Sequence, residues 1–95
     1  MSLHDIQMAH LRGAILQVLR EGTKANDSVL HIAVGQMEAI TATRDQVRQA
    51  MRWLEEQGLI AIEPAGDYLV GQIRQRGRDF LAGAIIVDGV HRQLS

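Results

Sequence analysis

At Gly58 the spacing of apolar residues changes from about 3.6 to 2, and no other feature constrains the fold as strongly. Ahead of it, Thr43-Arg44-Asp45-Gln46 fits a capping box, in which the Thr hydroxyl and the Gln side chain each reach the other residue's backbone N–H. Val47, Ala50, Met51 and Leu54 then recur at helical spacing, which predicts a helix over 44–57 with Gly58 as its stop. Behind it, Leu59-Ile60-Ala61-Ile62-Glu63 and Tyr68-Leu69-Val70-Gly71-Gln72-Ile73 are rich in β-formers. They flank the turn residues Pro64-Ala65-Gly66-Asp67, so a two-stranded hairpin is predicted over 59–73.

Three further helices complete the plan. Met8, Leu11, Ile15, Val18 and Leu19 mark one face of a helix over 2–20, ended by Gly22. Gly13 inside it is either a tolerated surface glycine or a point of close approach. The N-cap types Asn26-Asp27-Ser28 precede Leu30, Ala33, Val34 and Met37, which predicts a helix over 27–38. The short link Ala39–Ala42 to the next helix is a helix-turn-helix signal. Phe80, Leu81, Ala84 and Ile85 give the apolar side of a last helix over 74–86, with His91–Ser95 expected to be loose. Helix, helix, turn, helix, hairpin, helix is the order of a winged helix-turn-helix. The expected class is therefore α+β, mostly α: a three-helix core, a two-stranded wing and a C-terminal helix, in one domain over 1–95.

Composition removes several functions. There is no cysteine, hence no disulfide, thiol nucleophile or Cys-based metal site. Of the four histidines, His4, His10, His31 and His91, no two share a helical face at i, i+4, and solvated histidines are expected. No nucleophile elbow, phosphate-binding loop or acid–base pair is visible, so no enzyme and no cofactor is expected, and no small-molecule effector can be identified. No apolar run is long enough for a membrane span, and the start lacks a basic n-region, which points to a cytoplasmic protein.

The stretch Thr43-Arg44-Asp45-Gln46-Val47 through Trp53-Leu54-Glu55-Glu56-Gln57-Gly58-Leu59-Ile60 resembles the recognition helix and first wing strand of MarR- and ArsR-like bacterial regulators. More closely, Met1–Leu16, Asn26–His31 and Arg44–Leu59 resemble a family of small winged-helix proteins encoded by Mu-like prophages. The resemblance implies a phage or prophage protein, double-stranded DNA as partner, and a dimer built from the terminal helices.

The residues carry a DNA reading of their own. Arg44, Arg48 and Arg52 recur at i, i+4, i+8 along one edge of the third helix, with Thr43, Asp45 and Gln49 completing its exposed N-terminal half. Arginine can pair with guanine and glutamine with adenine in the major groove, so this helix is expected to read bases as a transcriptional regulator does. Phosphate anchoring would fall to Arg74, Arg76 and Arg78, or to Lys24 beside the Asn26–Ser28 helix start. Against this, the wing holds Glu63 and Asp67 and no cation, and residues 41–58 are neutral in sum, which favours a protein–protein interaction module instead. Trp53 is expected to pack on the wing or a partner rather than on a base. Leu3, Ile6, Leu16, Ile85 and Ile86 exceed the needs of one thin core and are expected to form a homodimer interface, or else to finish the monomer core.

Overall fold

The computed structural model describes residues 2–37 and 40–92. Among these, the elements are α1 (Leu3–Leu19), β1 (Ala25–Asn26), α2 (Asp27–Gly35), α3 (Arg44–Glu56), β2 (Ile60–Ala65), β3 (Tyr68–Ile73) and α4 (Gln75–Leu81). Each of the first three helices starts on a side-chain cap. Ser2 and Asp5 form a capping box on α1, Asn26 accepts the Val29 N–H on α2, and Thr43 and Gln46 form the box on α3. Such caps satisfy N–H groups that the helix itself leaves without partners.

The three helices bury one stripe each against the sheet and each other. Met8, Leu11, Ile15 and Leu19 from α1 meet Leu30 and Val34 from α2 and Val47, Ala50, Met51 and Leu54 from α3. Leu59, Ile60, Leu69 and Ile73 close the core from the hairpin side. β2 and β3 are antiparallel in the register Ile60↔Ile73 to Ala65↔Tyr68, joined by Gly66-Asp67. The arrangement is winged-helix-like.

Several expectations are corrected. The wing is three-stranded in the order β1-β3-β2, because Ala25 and Asn26 pair with Gly71 and Val70. Two residues are too few for a period of 2 to appear, so only the long-range pairing reveals β1. The second helix ends at Gly35; the expected end at Glu38 lies outside the described residues, as does Ala39. The last helix stops at Leu81 rather than 86, since Gly83 takes φ +82, a left-handed conformation that ends a helix at little cost. Ala84, assigned to its apolar side, is exposed.

The segment after α4 lies along α1 as a strap. Val87 is buried, the His91 N–H donates to the Ala9 carbonyl at 3.0 Å, and the His91 ring lies 4.1 Å from the His10 ring. Arg12 Nη1 donates to the Gly89 carbonyl at 3.0 Å. His91 is therefore held, not loose; 93–95 lie outside the described residues. Gly13 is buried beneath this strap, where a Cβ would collide with the His91 carbonyl oxygen. Close approach, not tolerance, explains the glycine.

Leu16 is a further correction, because it has no solvent exposure and belongs to the core of the single chain. A side chain already enclosed offers nothing to a partner. Ile85 is half-buried against the same core, whereas Leu3, Ile6 and Ile86 are 70%, 42% and 92% exposed.

Candidate nucleic-acid interface

With Val47, Ala50, Met51 and Leu54 turned to the core, α3 turns Arg44, Asp45, Gln49, Arg52 and Glu56 outward. Thr43 at its N-cap is exposed and occupied with the capping box: Gln46 N–H donates to Thr43 Oγ1 at 3.1 Å, and Thr43 N–H to Gln46 Oε1 at 2.9 Å.

The row of three arginines does not stand free. Asp27, the first residue of α2, has no solvent exposure and gathers two of them. Arg44 Nε donates to Asp27 Oδ2 at 2.9 Å and Arg48 Nη1 to the same oxygen at 2.7 Å, while the Leu69 N–H of β3 donates to Oδ1 at 3.0 Å. Burial pushes the Asp27 pKa up, but the hydrogen bonds from Arg48, Leu69 and Arg44 outweigh it and hold the pKa down at about 2. The bond to Asp27 in turn raises the Arg44 pKa. Arg48 Nη1 also donates to the Asp67 carbonyl at the wing turn, at 3.0 Å. Arg44 lies over the Tyr68 ring, 5.3 Å from its centroid, within cation–π range. One carboxylate thus ties α2, α3 and β3 together and fixes two arginines by one edge each. Their side chains remain 44% and 34% exposed, so the other edges face solvent. Arg52 pairs with Glu55 at 3.3 Å.

Sequence reasoning found Arg44 and Arg48 but missed Asp27, which it read only as one of three capping residues. Its partners stand 17, 21 and 42 positions away in the chain. No local spacing could join them.

Arg76 sits at the far end of α3 from Arg44, and Arg78 at the C-terminal end of α1. Arg76 Nε donates to the carbonyl of Gln57, the α3 C-cap, at 2.9 Å, and Arg78 Nη1 to that of Arg20, the α1 C-cap, at 3.2 Å. Both place a cation on a helix C-terminus, where the macrodipole favours it. Arg74 is exposed at the N-cap of α4 and makes no capping bond. Lys24 lies 3.9 Å from Glu63 of the wing, and the start of α2 is filled by Asn26 and Asp27 themselves, so neither is an open phosphate seat.

Trp53 packs against the core and under the strap. Arg12 lies 4.1 Å from its ring centroid, and its indole ring lies against Gly89. Burial lowers the Arg12 pKa, and its Nε is buried without a hydrogen-bond partner among the described residues. An open groove of about 540 Å³ runs between α1 and α3, lined by His4, Met8 and Arg12 on one side and Gln49, Arg52 and Trp53 on the other. Whatever touches Gln49 and Arg52 therefore also meets the first half of α1. Among the described residues no group of three or more His, Asp or Glu could hold a metal ion, and no helix is long and apolar enough to cross a membrane.

Fold and helix face together define a small winged-helix-like protein with a polar, partly pre-positioned α3. The chain is 38% identical over 78 residues to an uncharacterized protein of Haemophilus influenzae, covering 80% of this chain and 76% of that one. It is 32% identical over 91 residues to the uncharacterized protein gp26 of Escherichia phage Mu, covering 95% and 94% of the two chains. The chain belongs to this family of small Mu-like phage proteins. No family model and no solved structure matches it.

Proposed function

We propose that this phage-related protein binds double-stranded DNA and acts as a transcriptional regulator, laying the N-terminal half of α3 in the major groove. The observation that carries this reading is the Asp27 anchor. Enclosing a carboxylate is unfavourable unless it is paired, and here the enclosed charge restrains two arginines at the end of the helix that would enter a groove. A restrained guanidinium loses less rotamer entropy on meeting a base edge or phosphate with its free edge. Gln49 and Arg52 add exposed polar groups on the next turn. The sequence likeness to MarR- and ArsR-type regulators supports the same use.

Fluorescence-anisotropy titration against duplexes from the phage-like element encoding the protein tests it. Gln49 makes no side-chain hydrogen bond among the described residues, so Gln49→Ala should leave the melting temperature unchanged. It should weaken a specific site by about 1–3 kcal/mol. Binding no tighter than about 10⁻⁴ M to every duplex would sink the reading. The acidic wing favours the second reading, a protein–protein interaction module. Glu63 and Asp67 are exposed there, the wing strands β2 and β3 carry no cation of their own, and Lys24 is already paired with Glu63.

A further inference from the structure

We propose that His10 and His91 form a proton-operated latch: when both imidazoles carry charge, the tip of the strap after Val87 lifts from α1 and uncovers Arg12 and Trp53. The two rings stand 4.1 Å apart between centroids with their planes tilted by 33°, one on α1 and one on the strap. Backbone contacts keep them together, because the His91 N–H donates to the Ala9 carbonyl at 3.0 Å and the His91 carbonyl closes over Gly13. Neutral rings pack well at this distance. Two imidazolium ions there repel each other even in water, and more strongly wherever solvent is excluded. Histidine takes its charge between about pH 5 and 8, so the pair meets this conflict near neutrality.

The surroundings do not relieve it. Among the described residues neither ring is paired with a carboxylate. On α1, Arg12 sends Nη1 to the Gly89 carbonyl and so adds a cation beneath the strap, with Asp5 acting on Arg12, and His4 shares a groove with His10. From α3 that groove receives Gln46, which is uncharged. On the strap itself Asp88 is exposed, and the Arg92 guanidinium lies against Gly83. The closed strap also has a cost built in: Arg12, held against Gly89, keeps its Nε buried without a hydrogen-bond partner among the described residues. The buried Val87 secures the root of the strap, and Gly89 at φ +91 supplies a pivot. The closed strap therefore takes up the second proton less readily than the lifted one, and by linkage acid favours lifting. Arg12 and Trp53 line the groove beside Gln49 and Arg52, so lifting alters the surface next to α3.

Trp53 is the single tryptophan, which makes its emission the reporter, and the test needs no duplex. Between about pH 8 and pH 5 the wild type should shift its emission to the red, and the His91 amide should lose exchange protection. The helical circular-dichroism signal should stay constant, since α1 keeps its own hydrogen bonds. His10→Gln and His91→Gln, both at exposed positions, leave only one imidazole at the latch. Each should keep the high-pH spectrum and a protected amide at position 91 down to about pH 5. His31, bonded to the Ala42 carbonyl, is intact in both variants, so a transition that it drives would persist in them. A wild-type spectrum that does not move over this range overturns the proposal. So does a shift that survives in either variant.

Discussion

Asp27 shows what one enclosed charge does at the residue scale. It is ionised, cut off from solvent, and answered by three donors from two other elements. Its pKa of about 2 lies below the ordinary value of 3.8, so the folded state holds its proton less tightly than the unfolded chain. Stability from this group is fully present above about pH 5 and disappears as the pH falls through the folded pKa. The difference corresponds to about 2 kcal/mol near neutrality. Asp27→Asn keeps an acceptor but removes the charge. The variant should therefore be about 2 kcal/mol less stable at pH 7, and the gap should close as the pH approaches 2. Urea midpoints at several pH values between 7 and 2 measure this, and a gap of constant size would show that the charge is not the source. Because Arg48 shares this carboxylate, Arg48→Ala is a poor probe of base contacts: it disturbs the junction of α2, α3 and β3 as well.

Among the elements, the strap and its glycine separate what the sequence discloses from what it hides. Replacing Gly13 by Ala should favour α1 by about 1 kcal/mol on propensity alone. The added Cβ meets the His91 carbonyl, so the strap rather than the helix has to yield. The variant should keep its helical signal while the His91 amide loses exchange protection and the Trp53 fluorescence, no longer shielded by Gly89, moves to the red. An unchanged Trp53 spectrum would mean that the strap does not lie on α1. The sequence left both readings of Gly13 open because the colliding atom is 78 positions away. By contrast, the starts of α2 and α3 and the place of the hairpin are legible, since each is written in neighbouring residues: a cap, an apolar period, a turn; the turn itself is shorter than the sequence suggests, because Pro64 and Ala65 end β2 and pair with Leu69 and Tyr68. At the candidate site the exposed face of α3 followed from the same periodicity. The pairing of its arginines with Asp27, the cover over Trp53 and the brief β1 did not, because each depends on contacts between distant parts of the chain.

For the whole molecule, the placement of cations matters more than the net charge of −1. α3 has 13 residues and is about 20 Å long, with arginines at both ends and Arg52 between them. Arg44 and Arg48 stand at the start, Arg76 at the C-cap, with Arg78 one helical turn on from Arg74 at the end of α1. If DNA meets the start of α3, only Arg44, Arg48 and Arg52 are near enough to neutralise phosphates. About two or three counterions are then released, and log K should fall against log salt with a slope of about −2 to −3. Engagement of Arg74, Arg76 and Arg78 as well would steepen the slope to about −5. The geometry favours the shallow value, because Arg76 and Arg78 already donate to helix-end carbonyls. Arg76→Ala should accordingly leave the slope unchanged and lower the melting temperature instead, since the C-cap carbonyl of α3 loses its cation. Arg52→Ala, which gives up only a surface pair with Glu55, should flatten the slope by about one unit with no loss of stability. Titrations of the wild type and both variants at several salt concentrations distinguish the cases. A slope near −5 that Arg76→Ala flattens would place the duplex along the whole of α3 and the base of the hairpin.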